Sequence, residues 1–338
     1  MAVKEFVLNT PTDENQFRSI VLFGRNVASY KFALATSLID LARQDKDVVP
    51  LTELARPFAL AICCHLEQAP KQVTSGSSRF LKECGRYNSK EISLDKLIQV
   101  TARLGFENVI DAFHRVGAGD TQTRFFRDER SSQTPAIAIT DEMRALAHNL
   151  GSTTLSETEA RWNLVETAWN LGLTTAVVGF DDQNGQLLHP TRRTAITEAR
   201  PALNGYQKGK CFYCFRPVVI LKGHQELADI DHLFPFALEK NGLATNLNGI
   251  WNLVLACQTC NRGPHGKFDA TPDPKYVERL HTRNEYLIGS HHPLRQTLIK
   301  QTGKRARQRR AFLQQQLDAA TQYSPASWST RAMGSEAF

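Results

Sequence analysis

The chain reads Cys211-Phe212-Tyr213-Cys214, then Asp229-Ile230-Asp231-His232-Leu233-Phe234-Pro235, then Trp251-Asn252-Leu253, and finally Cys257-Gln258-Thr259-Cys260-Asn261. Each C-x-x-C turn offers two sulfurs, and four thiolates in two such turns can close a tetrahedral zinc site. A redox dithiol needs only one pair, so the doubling points to metal. The 42 residues between the pairs exceed what a simple zinc finger spans, so the metal would staple a larger unit. Val218–Leu221 and Leu227–Asp231 read as short strands around Lys222-Gly223-His224, which predicts a hairpin. Asp231 and His232 then stand where a strand runs through Pro235 into a loop, a common place for chemical groups. The other three cysteines, Cys63, Cys64 and Cys84, lie in apolar or helix-like surroundings and read as incidental thiols.

The order C-x-x-C, D-H-x-x-P, N-L, C-x-x-C-N resembles the HNH endonucleases of ββα-metal type, in the subgroup stapled by a four-cysteine zinc. The same order is found in McrA-like restriction nucleases and the phage Holliday-junction resolvase. The resemblance covers roughly residues 208–268. It implies a structural zinc on Cys211, Cys214, Cys257 and Cys260, and catalytic residues His232, Asp231, Asn252 and Asn261. His232 would be the general base, since a neutral imidazole titrates near working pH. Asp231 and Asn261 would supply oxygens to one Mg²⁺ or Mn²⁺, which favour hard ligands. Asn252 would tie the loop that orients His232, and Asn261 stands where the family often has its last histidine. Asn261 is expected near the start of a helix whose terminus helps attract phosphate. Neighbours on a strand point to opposite sides, so a distortion at the strand end would be needed for Asp231 and His232 to face one site. Asp229 reads as a supporting or solvent-facing group. Arg262, His265 and Lys267 are candidates for phosphate contact, Lys267 matching a basic residue common there in the family.

Charge points the same way. Residues 1–200 carry 23 basic and 24 acidic side chains, whereas residues 201–338 carry 18 and 10, so the whole net charge of +7 arises in the later part. Beyond residue 290 a helix is expected with Arg295, Lys300, Lys304, Arg305, Arg307, Arg309 and Arg310 unopposed by any acid until Asp318. Such loading suits a polyanion, with DNA first and RNA not excluded. Lys304, Arg305, Arg307, Arg309 and Arg310 are its candidate backbone contacts.

The first half reads as mostly helical: Ala28–Arg43, Leu51–Gln68 with Pro57 near its first turn or kinking it, and a segment capped by Ser93 continuing at Asn108–Val116. Pro135–Ile139 reads as extended, before a helix capped by Thr140 or Asp141. Ser156-Glu157-Thr158-Glu159 fits a capping box starting the helix with Trp162 and Trp169. Asp181–Gly185 predicts a hairpin turn, followed past Pro190 by a short helical run ending near Pro201 or Gly205. His65, His114 and His148 read as packing residues with no carboxylate or thiol cluster around them, and Arg124–Arg130 as a solvated connector.

The 338 residues, 41% apolar and 22% charged, exclude a disordered chain, and no apolar run is long enough for a membrane span. The start lacks a secretory pattern, so a cytoplasmic protein is expected. The resulting fold is α+β: a helical recognition or regulatory domain (1–190), an HNH nuclease domain (191–290), a basic helix (291–323) and a disordered tail (324–338). The resemblance implies a metal-dependent DNA endonuclease that nicks and leaves 3′-hydroxyl and 5′-phosphate ends. By analogy of layout it would serve restriction or anti-phage defence, with partner proteins of that system. The alternative is a non-catalytic zinc ribbon that binds nucleic acid or a protein partner. Such a ribbon would keep the cysteines but would not need Asp231, His232, Asn252 and Asn261 together.

Overall fold

A computed structural model describes residues 12–23, 28–73, 78–116, 119–170, 179–181, 183–189, 194–242, 246–289, 292 and 294–338. Helices and small sheets mix, as in an α+β fold, and the chain divides at Asn170, earlier than the Pro190 boundary expected, into Pro11–Asn170 and a unit built from Leu171–Phe338. No helix among the described residues is long and apolar enough to cross a membrane.

The first unit holds α1 (Asp13–Phe23), α2 (Tyr30–Ala42), β1 (Val48–Pro50), α3 (Leu51–Gln68), α4 (Arg79–Asn88), α5 (Leu94–Leu104), β2 (Phe126–Glu129), β3 (Ala136–Ile139) and α6 (Asp141–Asn170). Residues on every side of α2 are buried, as its unbroken apolar run requires, and α3 and α6 pack against it. Ser78 and Ser93 cap α4 and α5, each accepting from a backbone amide at 3.3 Å. β3 lies between β1 and β2, antiparallel to both. Pro57 lies inside α3.

The expected helix start at Ser156 is not observed, because α6 runs through it unbroken. Thr140 already caps that helix through the Met143 amide at 3.4 Å, and the Ser156 hydroxyl donates to the Ser152 carbonyl instead. No proline interrupts the run, so Ser156 has no terminus to cap.

His65 is buried but not bare. Its ring stacks on Trp162 with centroids 3.5 Å apart, while Nδ1 meets Glu166 at 2.8 Å and Nε2 meets Glu159 at 3.3 Å. These carboxylates come from the far part of α6, about one helical turn on either side of Trp162, which is why no pattern local to His65 showed them. Burial by itself would lower the His65 pKa, but the two carboxylates outweigh it and raise it to about 9. The stabilisation is therefore complete below about pH 6.5 and is lost as pH rises through about 9. It is on the order of 2 kcal/mol. Thermal unfolding is expected to drop by several degrees between roughly pH 6.5 and 9.5, and His65→Gln to flatten that slope; a native midpoint constant over this window would remove the cluster from the stability account. His114, in contrast, is held neutral: burial, then Arg124, push its pKa down to about 4, and Nε2 accepts from the Phe125 amide at 3.0 Å.

The second unit opens with the antiparallel strands β4 (Gly179–Asp181), β5 (Gln186–His189) and β6 (Thr194–Glu198). The turn at Asp181–Gly185 forms as expected, with Gly185 at φ +64 and its amide donating to the Asp181 carbonyl at 2.8 Å. Residues 194–198 are strand where a helical run was expected. Thr194, Ile196 and Thr197 are β-branched and favour the pleat, so α7 begins only at Ala199 and ends at Gln207, with Pro201 tolerated in its first turn.

Next come β7 (Asp229–His232), β8 (Leu253–Ala256) and α8 (Gln258–Arg262). The expected hairpin of Val218–Leu221 with Leu227–Asp231 reduces to an isolated bridge, Val219 to Leu227. β7 pairs antiparallel with β8 instead, His232 opposite Leu253 and Asp231 opposite Val254. All four β8 residues are buried and apolar, which makes β8 the stronger partner. Gln207 of α7 completes the pair, its side chain exchanging bonds of 2.9 and 2.7 Å with the Leu255 backbone.

Two helices, α10 (Arg295–Thr302) and α11 (Ala306–Tyr323), replace the single basic helix and follow α9 (Pro274–Gly289). Gly303 separates them at φ +128, a conformation closed to most side chains. The tail expected to be disordered is packed. Ser327–Trp328 pairs in parallel with Thr271–Pro272, Ala337 is fully buried, and the Lys208 ammonium donates to the Ala337 carbonyl at 2.7 Å.

Candidate metal centre and adjoining site

The first knuckle follows α7, whose end at Lys208 takes a left-handed conformation with φ 53. The Cys211 amide donates to the Arg216 carbonyl at 2.8 Å and the Phe215 amide to the Cys211 carbonyl at 3.0 Å, so Cys211 and Cys214 project from one tight turn. In the second knuckle Cys257 stands at the N-cap position of α8 and Cys260 lies within that helix. The four sulfurs lie within 4.8 Å of one another, three of the residues buried and Cys257 half-buried, and Cys214 Sγ is 3.8 Å from Cys257 Sγ. A tetrahedral zinc with Zn–S bonds near 2.3 Å requires sulfurs about 3.8 Å apart. The cluster can hold a metal such as zinc.

The first knuckle is clamped from outside. The amides of Met333 and Gly334 both donate to the Cys214 carbonyl, at 2.7 and 3.1 Å, and Arg279 donates to the Phe212 and Tyr213 carbonyls. Phe338 packs on Phe212 and Phe215. Aromatic residues scattered through the tail thus have a purpose that their low-complexity surroundings hid.

From this knuckle a contact runs to β7. Tyr213, buried, donates its hydroxyl to Asp231 Oδ2, and Lys267 Nζ approaches the same oxygen at 3.4 Å. Among the described residues Asp231 Oδ1 accepts no hydrogen bond. Burial raises the Asp231 pKa, and Lys267, Tyr213 and His232 oppose that rise. His232 faces other neighbours: its Nε2 lies 2.7 Å from Asn248 Oδ1, and its ring sits near Phe180 and Phe236 at 6.3 and 6.0 Å. With Asn248 accepting, Nε2 carries the proton and Nδ1 is the basic nitrogen of the neutral ring.

Asn252 is fully buried. Its oxygen accepts from the Phe234 amide at 2.9 Å, while its nitrogen donates to the carbonyls of Phe234 at 2.9 Å and Leu247 at 3.0 Å. One side chain thereby ties both ends of the loop that carries Asn248 back to the end of β7. Arg283, wholly buried, donates to the carbonyls of Leu253, Trp251 and Ile250 and braces the same turn from α9, and burial lowers its pKa to about 10. Asn248, Tyr213 and Arg283 were not singled out from sequence: each acts through a tertiary contact, and no spacing rule marks it.

Asn261 is the fourth of five residues in α8, near the end of that helix and not its start, so the expected pull of a helix N-terminus on phosphate does not apply. Its Nδ2 donates to Asp229 Oδ2 at 3.0 Å, and Arg262 Nε donates to the same oxygen at 2.8 Å. The carboxylate in direct contact with Asn261 is therefore that of Asp229, and Asp231 is bound to Tyr213 and Lys267. Asp229, Asn261 and Arg262 open onto a cleft of about 390 Å³ whose other wall is Phe180 and the β4–β5 turn, with Arg200 beside them.

Of the candidate phosphate contacts, Arg262 and His265 are exposed and flank this cleft's helix, but Lys267 is buried against Asp231 and cannot reach solvent. Lys304, Arg305 and Arg307 are exposed. Arg309 is not: it is buried and paired with Glu285, Nη2 to Oε2 at 2.7 Å. Arg310 is exposed but bridges to Glu278 at 2.8 Å. Helical periodicity turns Arg309 inward, where an acid from α9 awaits it. No protein-family model matches this chain, and neither a curated protein nor a solved structure matches it.

Proposed function

We propose that the chain is a metal-dependent DNA endonuclease of HNH type that hydrolyses one phosphodiester bond at a time. The observation that carries this reading is a four-cysteine cluster whose two knuckles bracket His232 at the end of β7 and Asn252 in the turn before β8, with Asn261 directly after the second knuckle. In this reading His232, held through Nε2 by Asn248, takes a proton from the attacking water. Asn252 keeps the His232 loop closed, and Arg262 stands at the cleft to meet a phosphate oxygen. Asp231 Oδ1 and Asn261 Oδ1, neither engaged by hydrogen bonds among the described residues, are oxygens suited to a Mg²⁺ or Mn²⁺ ion. When bound, such an ion supplies Lewis-acid stabilisation of the scissile phosphate. Exposed Lys304, Arg305 and Arg307 hold the DNA backbone without reading sequence.

The test is supercoiled plasmid incubated with purified protein, with and without Mg²⁺ or Mn²⁺. Metal-dependent open circles are expected; bound DNA with no product under any metal would leave a non-catalytic binding module. The backbone contacts are checked separately. Replacing Lys304, Arg305 and Arg307 by Gln is expected to reduce the slope of log affinity against log salt by about 2–3. An unchanged slope would show that these three side chains do not touch DNA. Arg309→Gln, by contrast, is expected to act on stability, because it strands Glu285.

A further inference from the structure

The cleft's acidic residue has two partners on one oxygen. Asp229 Oδ2 receives both the Asn261 amide nitrogen at 3.0 Å and Arg262 Nε at 2.8 Å. An asparagine amide presents an oxygen on one side and a nitrogen on the other, and only the oxygen can ligate a cation. A carboxylate accepts hydrogen bonds and cannot donate them, so Asp229 selects one of the two orientations. It takes the nitrogen and leaves the carbonyl oxygen turned away from itself. Asp229 is itself held by Arg262, so the selection rests on an anchored group.

We propose that Asp229 is a positioning residue that fixes the Asn261 side chain with its oxygen toward a divalent cation. This inference rests on the endonuclease reading above. Asp231 has a parallel arrangement: Tyr213 and Lys267 both occupy Oδ2 and leave Oδ1. The difference is that a carboxylate has two equivalent oxygens, whereas an asparagine turned the wrong way presents a donor to the cation. Asp229 therefore matters through Asn261 and needs no contact with the metal.

Mn²⁺ binding to the full-length, zinc-loaded chain, followed by electron paramagnetic resonance, tests this without relying on turnover. Asn261→Ala first identifies the relevant site as the one it weakens. Asp229→Ala is expected to weaken Mn²⁺ there by about tenfold, the usual scale for a partner of a metal ligand. In an Asn261→Asp background, where either orientation offers oxygen, Asp229→Ala is expected to cost less than about twofold. Equal losses in both backgrounds would mean that Asp229 acts by its charge alone, and the proposal fails. No loss from Asp229→Ala in the native background would also overturn it. If the native chain has no Mn²⁺ site sensitive to Asn261→Ala, the endonuclease reading itself falls, and this inference falls with it. Cleavage assays with the same variants add a second readout: Asn261→Asp should restore turnover to Asp229→Ala.

Discussion

His232→Ala is expected to lower metal-dependent nicking of supercoiled DNA by about 10²- to 10⁴-fold, the contribution of a well-placed general base. The size follows from what the imidazole does and what else depends on it. Its Nε2 bonds Asn248 Oδ1 at 2.7 Å, and its ring neighbours Phe180 and Phe236 lie at 6.3 and 6.0 Å between centroids. Strand β7 is held by its backbone pairing with β8, and the loop beyond it by Asn252 and Arg283. Removing the imidazole therefore subtracts a proton acceptor, while these backbone and loop bonds, which do not involve it, remain. DNA affinity, zinc content and melting midpoint should stay near native values, which separates lost chemistry from lost structure. A variant that still nicks at the native rate would eliminate His232 as the base.

Cys257→Ser is expected to reduce zinc content and stability together. Binding a structural zinc is folding free energy for the unit that contains it, about 10–16 kcal/mol in isolated zinc fingers. Loss of one of four ligands should remove several kcal/mol of that and lower the midpoint of the second unit by ten degrees or more. The consequences should extend beyond the metal. Cys257 immediately precedes α8, which carries Asn261, and the opposite knuckle carries Tyr213, which holds Asp231, so the metal ties both to one point. Cleavage should therefore fall along with zinc. Cys64→Ser is the control, since Cys64 is exposed and outside the cluster. The assay is metal content by mass spectrometry beside a melting curve; full zinc with an unchanged midpoint would remove the site from the account.

Local rules read some of this protein well. The helical first half, the cap at Ser93 and the turn at Asp181–Gly185 depend on neighbours a few residues apart, and local sequence patterns expose them. Ser156 misled because a capping pattern is only permissive, and a helix already capped at Thr140 passes through it. The pairing of β7 was misread for a different reason: its nearest apolar segment is not its best one, and β8 competes successfully from across the loop. The tail was misjudged because its composition is polar, whereas Trp328 and Phe338 each find aromatic partners far away in sequence.

At the candidate site the residue types and their order were legible, because metal ligation and proton transfer admit few side chains and the knuckles set their spacing. Four cysteines that can hold zinc, with a histidine, two asparagines and two aspartates arranged around them, are a property of the sequence. Which oxygen each group presents is not. Tyr213 and Lys267 hold one oxygen of Asp231, Asp229 turns the Asn261 amide, Asn248 sets the His232 tautomer, and Glu285 removes Arg309 from the basic face. Each of these is a short-range hydrogen bond or ion pair between segments distant along the chain. Such forces act over a few ångströms, so only the tertiary structure, which brings those segments together, could decide them.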